Sequence, residues 1–461
     1  TVVVFLHELQ RWEQPDAPVV EGPLSPEAVA TALDGTYRKA LAANAVHDMF
    51  LMGPGPVQKR FLVNFHDHES GAEGSWIADA TGTLVVEHKA PWSDFIGDLH
   101  MHLHLPRTWG LLLVGLTGVT LLSSLVSGLL SHPRLFKDAF YLRWGGSRRL
   151  QEADLHNRLG VWGLPFHVVV STTGALLGLS TLIVGVLALA AYDGDSEKAF
   201  ATILGPMASE DETAAPLPDI AAMIRQIQAK VPEAEFASAN IGHVAHAGQI
   251  VHLGMRTPGH LAMSNAYYFD GAGKNLGDGG LETGSVGQQI LGALQPLHFG
   301  WFGGFAVKIV YGILGLALTV VTHSGITIWL ARRRERGRPV PHWEKVWTAL
   351  AWSQPLAFAT AALVIFTVGE GLALATYLAT TIVCIIGALG VSEARIAGRF
   401  IRLLAGVAIL AAVLAHGLAW SGRIADSAAY WLSGTMVTAA LALVVSALHP
   451  LLRRRLVQDE T

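Results

Sequence analysis

An uncharged stretch from residue 159 to residue 192 constrains this chain more than any other feature of its sequence. A helix of about 20 apolar residues crosses the hydrocarbon core of a bilayer, so the stretch predicts a membrane-spanning helix over residues 159–191. His156 precedes this stretch and His167 lies inside it. An ionisable side chain in a membrane is costly and usually faces a bundle interior or a ligand. These two histidines are therefore the first candidates for a functional site.

The composition places the whole chain in the same class. Of its 461 residues 51% are hydrophobic and 15% are charged, which indicates a polytopic α-helical membrane protein with sizeable polar segments. The net charge of −4 argues against a nucleic-acid partner. The single cysteine, Cys384, excludes an intrachain disulfide and a cysteine-based metal site. The sequence has no flavin or nicotinamide fingerprint, no HExxH motif and no phosphate-binding loop.

The apolar segments predict about eight membrane spans, of which the first is only partly present. The first span ends within residues 1–10, and the next three lie within residues 99–131, 159–191 and 299–331. Residues 332–461 contain four further spans joined by short loops. The loop at 132–158 is rich in arginine. The positive-inside rule therefore places it in the cytoplasm, with the polar segments 11–98 and 192–298 outside.

The two polar segments share one layout. Each begins with a predicted helix, over about 26–41 in the first and about 218–231 in the second, and continues with short strands separated by turns. Each segment is therefore predicted to be a small α+β extracytoplasmic domain. The succession of helix end, outer domain and span occurs twice, which indicates an internal repeat.

Short histidine motifs in the outer domains are weak signals. His66 and His68 flank Asp67, but alternate residues of a strand point to opposite faces, which disfavours a metal site there. His243 and His246 are better explained by a turn or a strand edge.

The membrane histidines fall into two layers by depth. The outer layer consists of His7, His100, His104 and His298, and the inner layer of His167 and His323, with His156 and His132 at the inner surface. His100 and His104 are four residues apart and are predicted to share a helix face. His167 and His323 each lie about 13 Å from the cytoplasmic end of their span, at 1.5 Å per residue, and are predicted to stand at matching depth.

Paired imidazoles at equal depth favour haem. One axial imidazole from each of two facing helices is a typical way for a helix bundle to hold haem iron, and two layers would hold two haems. The alternative for each histidine is packing against a neighbouring helix or a position in the interfacial belt. For His416 the packing alternative is favoured.

Several short motifs point to one known family. They are Leu-His100-Met-His-Leu-His104, Ser-Gly-Leu-Leu-Ser-His132-Pro-Arg-Leu-Phe-Lys-Asp-Ala-Phe, Asp-Leu-His156-Asn, Leu-Pro-Phe-His167, Leu-His298-Phe-Gly and Ser-Gly-Ile-Thr-Ile-Trp-Leu-Ala-Arg-Arg. In these motifs and their spacing, residues 1–335 resemble the PepSY-associated transmembrane family, the iron-regulated membrane proteins that include ferric-siderophore reductases.

The resemblance implies that the outer domains are PepSY modules in the periplasm of a bacterium and that the spans cross its inner membrane. It also implies b-type haem, one or two per chain, and reduction of a ferric chelate by an electron donor that the sequence does not identify. In this interpretation the axial ligands are His100, His298, His167 and His323, and the further cofactor-binding residues are His104, His156 and His132.

Three functions are compatible with the sequence. The first is a haem-containing electron carrier that reduces ferric siderophore, or a related metal chelate, and so releases iron. The second is a membrane-anchored PepSY binding or assembly module without enzymatic activity. The third is a transporter in which His167 and His323 relay protons.

Overall fold

The computed structural model describes residues 2–131, 140 and 148–458, with side chains for residues 2–131, 140 and 150–449. Within this part of the chain, six helices are long and apolar enough to cross a membrane, or seven if a bent helix pair counts as one span. The chain is thus a multi-pass α-helical membrane protein that also carries an antiparallel sheet. His132 lies outside the described residues.

The helices of the described residues are labelled in chain order. They are α1 (Leu6–Glu13), α2 (Pro26–Ala42), α3 (Pro91–His102), α4 (Arg107–Ser131), α5 (Arg148–Trp162), α6 (Leu164–Gly178), α7 (Ser180–Ala191), α8 (Ser196–Leu204), α9 (Ile220–Gln228), α10 (Val286–Phe299), α11 (Gly304–Glu335), α12 (Pro341–Thr367), α13 (Ala373–Gly390), α14 (Ala394–Ala419) and α15 (Ser427–Gln458). The six candidate spans are α4 and α11–α15, and the bent pair is α5 with α6.

The strands of both polar segments form one antiparallel sheet. They are β1 (Asp48–Met52), β2 (Phe61–His66), β3 (Glu73–Ala78), β4 (Leu84–Glu87), β5 (Glu235–Gly242), β6 (Ile250–Arg256), β7 (Asn265–Asp270) and β8 (Asn275–Asp278). Their order is β4-β3-β2-β1-β5-β6-β7-β8. The first strand of each segment is therefore central, and the order of each half mirrors that of the other, as expected for a repeat.

The two halves join through backbone pairing of β1 with β5. Met49 lies opposite Ile241 and Leu51 opposite Ala239, and all four side chains belong to one buried core. Helices α2 and α9, one from each half, pack against each other and are linked by an ion pair between Arg225 and Glu27 at 2.6 Å. The sequence predicted two small domains, and the structure shows that they are the halves of a single sheet.

Two predicted spans are interrupted. Residues 159–191 are divided among α5, α6 and α7, with a bend of 69° between α5 and α6. Gly163 occupies the break and Pro165 lies in the first turn of α6, where a proline is tolerated because the first helical N–H groups have no partner within the helix. The prediction of one uninterrupted helix here is therefore wrong. Residues 99–131 likewise contain a break, because Leu103 and His104 adopt left-handed backbone conformations.

The end of α1 is a buried junction between the sheet, α3 and the C-terminal helices. Trp12 is 0% exposed, stacks on the His416 ring at 3.9 Å and donates from Nε1 to Ser433 Oγ at 3.0 Å. Arg11 makes a bidentate ion pair with Asp426, with distances of 2.6 and 2.7 Å. From the sheet, the buried Arg60 side chain donates to the Gln10 carbonyl at 3.1 Å. His416 therefore has a packing role.

Glu13 completes this junction at the N-terminus of α3. Its carboxylate accepts hydrogen bonds from the backbone N–H groups of Trp92 at 2.8 Å and Ser93 at 2.6 Å, and from the Ser93 hydroxyl. These hydrogen-bond donors favour the charged form of the Glu13 carboxylate. Burial nevertheless dominates and raises the pKa of Glu13 to about 7. The folded protein therefore holds a proton here over a pH range in which the unfolded chain has released it.

This raised pKa makes the stability of the protein depend on pH. Between the unfolded pKa, near 4.5, and about pH 7, the folded state binds more protons, so stability falls as pH rises. Substituting Glu13→Gln removes the titration. We expect the free energy of unfolding of the wild type to fall relative to that of the variant between pH 5 and 7, by at most about 1.4 kcal/mol per pH unit. Thermal unfolding in detergent at several pH values measures this difference.

The exposed residue Glu21 offers a matched control. Glu21→Gln should leave the pH dependence of unfolding as it is in the wild type. Identical pH slopes for the wild type and Glu13→Gln would contradict the assignment of this proton to Glu13.

Candidate functional site

Two outer-layer histidines lie close together. The rings of His100 on α3 and His298 on α10 have centroids 6.3 Å apart and planes inclined by 24°. This distance lies in the upper part of the range for paired aromatic rings, about 4.5–7 Å. They come from elements almost 200 residues apart in sequence, which the helix packing brings together.

The position of His298 is set by the two ends of α10. At the N-terminus, Ser285 and Gln288 form a capping box, which satisfies free N–H groups of the first turn. At the C-terminus, Gly300 has a φ of 72° and ends the helix, and Tyr311 Oη donates to the Leu297 carbonyl at 2.8 Å. The ring of His298 then rests against α6.

A hydrogen bond to α6 fixes the tautomer of His298. Its Nδ1 lies 3.0 Å from Thr173 Oγ1. The Thr173 hydroxyl donates its proton to the Val169 carbonyl at 2.7 Å, so its oxygen accepts from the N–H of Nδ1. The other nitrogen, Nε2, then carries the lone pair, which is the form of imidazole that binds a metal.

Space for the His298 ring comes from Gly174. A Cβ atom at this position would stand 2.9 Å from His298 Cε1. Any other residue would therefore push the ring out of place, since real Cβ contacts are longer. One turn of α6 thus supplies both the orienting hydroxyl and the room that the ring needs.

The His100 side chain is partly exposed to solvent, but many protein atoms surround it. Desolvation by these atoms first, and the neighbouring His298 second, lower the pKa of His100 to about 4. The pKa of His298 is also lowered, chiefly by burial. Both rings are therefore neutral at pH 7, the state in which an imidazole can act as a ligand.

The separation of the two rings fits a metal ion between them. Two metal–nitrogen bonds of about 2 Å, plus roughly 1 Å from each ring centre to its nitrogen, give about 6 Å between centroids. The observed distance is 6.3 Å. The distance between the ring centres of His100 and His298 is therefore the one that two axial imidazoles of one haem iron require.

His104 does not share this arrangement. Because Leu103 and His104 have φ values of 57° and 53°, the helix ends at His102 and the predicted common face of His100 and His104 is lost. The His104 ring stacks on Phe95 at 4.6 Å, and Nε2 makes a hydrogen bond of 2.9 Å with the Phe95 carbonyl. His104 therefore does not share a helix face with His100, and its ring is engaged by α3; that it binds a cofactor stays a prediction.

A buried ion pair lies next to the outer histidines. Lys308 on α11 contacts both carboxylate oxygens of Glu8 on α1, at 2.6 and 2.5 Å, and both side chains are almost fully buried. The adjacent His7 packs on Trp301 with a centroid distance of 5.5 Å. His7 therefore contacts the loop that follows His298 and does not face His100.

The inner histidines do not form the predicted pair. His167 is 0% exposed and lies beside the Leu314 backbone of α11. His323 stacks on Trp347 of α12, with centroids 5.6 Å apart. Leu314 and His323 are nine residues apart on α11, about 13 Å along the helix axis. The prediction of matching depth is therefore wrong, because the break at Gly163 invalidates the residue count along a single straight span.

Both inner histidines nevertheless keep free ring nitrogens. Within the described residues, neither nitrogen of His167 meets the distance and angle of a hydrogen bond, although the Leu314 backbone lies close to the ring, and Nδ1 of His323 has no partner either. A buried polar atom without a partner is costly and calls for an explanation, such as an absent ligand. These atoms are thus available for coordination even though they do not meet.

A cavity of about 380 Å³ lies on the inner side, between α4, α5 and α11. One glycine from each helix lines it, Gly128, Gly160 and Gly325, together with His156. His156 Nδ1 lies 2.9 Å from Ser324 Oγ. The Ser324 hydroxyl donates to the Val321 carbonyl at 3.1 Å, so it accepts from His156 and leaves Nε2 free, as Thr173 does for His298.

Sequence reasoning missed the two hydroxyl groups that orient these rings. Thr173 lies six residues after His167, and Ser324 directly follows His323. A serine or threonine in an apolar helix usually bonds its own backbone, so neither residue gives a local signal. Only the packing of α6 against α10, and of α5 against α11, reveals what they contact.

The comparisons with known proteins agree with this architecture. Residues 1–332 match the family described as the PepSY-associated TM region, and the chain belongs to that family. An uncharacterized protein of Pseudomonas aeruginosa is 30% identical over 256 residues. The match spans 53% of this chain and 64% of that relative.

The glycine contact between α4 and α6 gives a direct test of the packing at this site. A Cβ atom on Gly178 would lie 2.7 Å from Gly115 Cα, a distance that requires the helices to separate. We expect Gly178→Ala to lower the free energy of unfolding by about 1–3 kcal/mol, the usual range for overpacking. Thermal unfolding of the purified protein in detergent measures it.

Gly185 on α7 is the matched control, because a Cβ atom there would meet nothing within 4 Å. Gly185→Ala should unfold at the same temperature as the wild type or slightly above it. Equal stability of both variants would contradict the close contact of α4 with α6.

Proposed function

We propose that this protein is a haem-containing electron carrier of the bacterial inner membrane that reduces a ferric siderophore, or a related iron chelate, on the periplasmic side. The observation that carries the proposal is the 6.3 Å spacing of the His100 and His298 rings. Membership of the PepSY-associated TM family supports its setting in a membrane. The sheet would then lie in the periplasm, as the basic loop at 132–158 indicates.

The residues of the outer site would have distinct tasks. Bound haem would supply an iron centre that accepts and donates single electrons. His298 would hold it by its Nε2 lone pair and His100 by a ring nitrogen, and Thr173 would orient the His298 ring through its hydrogen bond of 3.0 Å. The buried Lys308–Glu8 pair would fix α11 against α1 without adding net charge.

A series of histidines continues inward from this site. His298 rests on Thr173 and Gly174, and His167 lies on the same face of α6 two turns further in, about 10 Å away by helix rise. His156 follows beside Ser324, at the inner cavity. These positions support a second haem in that cavity, with His156 as a ligand, in place of the His167–His323 pair that the sequence predicted.

The chemistry of the substrate accounts for the direction of transfer. Siderophores hold iron(III) tightly through hard oxygen donors, and one electron converts it to iron(II), which such donors hold less tightly. Each release would consume one electron from a membrane or cytoplasmic one-electron donor. No bond in the siderophore needs to break, which agrees with a site made of imidazoles without a nucleophile.

Spectroscopy of the purified protein tests both parts of the proposal. We expect a Soret band, with α and β bands on reduction by dithionite, and re-oxidation when a ferric siderophore is added to the reduced protein after removal of excess dithionite. A protein that stays reduced would contradict the substrate. A colourless preparation from haem-replete cells would contradict the cofactor as well, and would favour a binding module.

Substituting Thr173→Val tests the orientation of His298. The variant keeps both candidate ligands but loses the hydrogen bond to Nδ1, and such orienting partners typically change metal affinity 10–100-fold. We expect faster transfer of haem to apomyoglobin and a shifted midpoint potential. Thr120→Val, which removes a lipid-side hydroxyl bonded only to the Leu116 carbonyl, is the control. Unchanged haem transfer and potential in Thr173→Val would argue against His298 as a ligand.

A transporter is the second candidate, because the described structure contains buried ionisable groups that a proton relay needs. His167 has two unpartnered ring nitrogens, and Lys308 and Glu8 form a fully buried pair. Replacing His167 by methionine distinguishes the two functions. A relay would lose transport and keep every visible spectrum, whereas an electron carrier with haem near His167 would change its spectrum or potential.

A further inference from the structure

Three strand ends of the sheet meet at a group of histidines away from the membrane helices. Asp48 begins β1, His66 ends β2 opposite Asp48, and β5 ends at Gly242 on the other side of β1. His47 precedes β1, His68 follows β2, and His243 follows β5. The histidines therefore come from both halves of the sheet.

The spacing of their donor atoms is that of a metal site. His47 Nδ1 lies 3.0 Å from Asp48 Oδ1, and His68 Nε2 lies 3.1 Å from Asp48 Oδ2. All three residues offer donor atoms within 4.8 Å of one another. In a tetrahedral site with bonds of about 2.0–2.1 Å, neighbouring donors are about 3.3 Å apart. An ion would therefore enter with small movements of these side chains.

His47 Nδ1 gives a second, independent indication. This nitrogen is buried and has no hydrogen-bond partner within the described residues, because its contact with Asp48 lacks hydrogen-bond geometry. A buried nitrogen that lies close to a carboxylate without bonding to it would be satisfied by a cation that both groups bind.

His243 packs against His47 and ties the Asp48 carboxylate to β5. Its ring centroid lies 4.6 Å from that of His47, and its backbone N–H donates to Asp48 Oδ1 at 3.2 Å. His243 has a φ of 51°, a conformation that is uncommon outside glycine and that turns the chain back toward β1. His66, by contrast, faces Glu73 at 3.7 Å.

We propose that His47, Asp48 and His68 bind one divalent transition-metal ion of the zinc or copper type. Imidazole nitrogens with a single carboxylate select these ions over magnesium and calcium, which prefer oxygen donors. The ion connects β1 to the β2–β3 hairpin, and its ligand Asp48 accepts a hydrogen bond from the His243 backbone at the end of β5, so the site lies where the two halves of the sheet join. The site is separate from the membrane histidines and does not depend on haem.

Titration of the full-length protein with zinc chloride tests the site. The protein is purified in detergent and treated with a chelator beforehand, and binding is followed by calorimetry and by thermal unfolding. We expect the wild type to bind one more zinc ion than His68→Ala, at micromolar concentrations, with a rise in unfolding temperature that the variant lacks. Asp48→Asn should weaken this binding at least tenfold, and magnesium should produce neither effect.

His260→Ala is the control, because His260 is an exposed histidine outside the group, and it should bind zinc as the wild type does. His68 is itself exposed, so its truncation leaves the sheet core intact, and His68→Gln provides a second variant that keeps a polar side chain. Equal zinc stoichiometry and equal stabilisation in the wild type and in both His68 variants would overturn the proposal.

Discussion

The hydrogen bond between Thr173 and His298 is the interaction on which the candidate site depends. It connects α10, which follows the second half of the sheet, to α6 inside the membrane region, with a length of 3.0 Å. Since the Thr173 hydroxyl also donates to Val169, the bond selects one tautomer of His298 and leaves the lone pair on Nε2. Gly174 provides the space, and the contact of Gly115 with Gly178 holds α6 against α4. A neutral, oriented imidazole opposite His100 is the result.

The rest of the fold keeps these elements in register. His100 lies on α3, whose N-terminus is held by Glu13 of α1. Helix α1 is in turn fixed to the C-terminal bundle by Arg11 and Trp12, and to α11 by the buried Glu8–Lys308 pair. Removing one partner of a buried ion pair costs about 3–5 kcal/mol, so such pairs hold helices in one arrangement even where they add little net stability. Helix α1 therefore relates the sheet, the outer site and helices α12–α15 to one another.

Most secondary structure was predictable because it follows local patterns. The helix predicted over about 26–41 is α2, which has the local signals of a Ser25 cap and a proline in its first turn. Burial alternates along β2, as expected for one of the short strands predicted in this segment. Apolar length likewise predicted α4 and α11–α15 as spans. The depth of His167 was not predictable by counting residues, because Gly163 and Pro165 break the helix. A glycine and a proline two residues apart are typical of a helix break, so this sequence argues against one straight membrane-spanning helix.

The site itself was predictable only in part. The pairing of His100 with His298 agrees with the outer layer, because both residues lie at helix ends on one side of the membrane region. The loss of His104 from that layer depends on two left-handed residues for which the sequence gives no signal. The pairing of β1 with β5, which brings His243 beside His47, joins segments almost 200 residues apart and depends on register that single-sequence patterns do not encode.

Electron paramagnetic resonance of the oxidised protein tests the central claim, the clamp formed by His100 and His298, most directly. Haem iron with two imidazole ligands is low-spin, and the loss of one ligand makes it high-spin. The account predicts a low-spin signal in the wild type that is lost in part to a new high-spin signal in His298→Ala and in His100→Ala, with His104→Ala unchanged. An identical low-spin signal in all four proteins, or no haem signal in any, would contradict it.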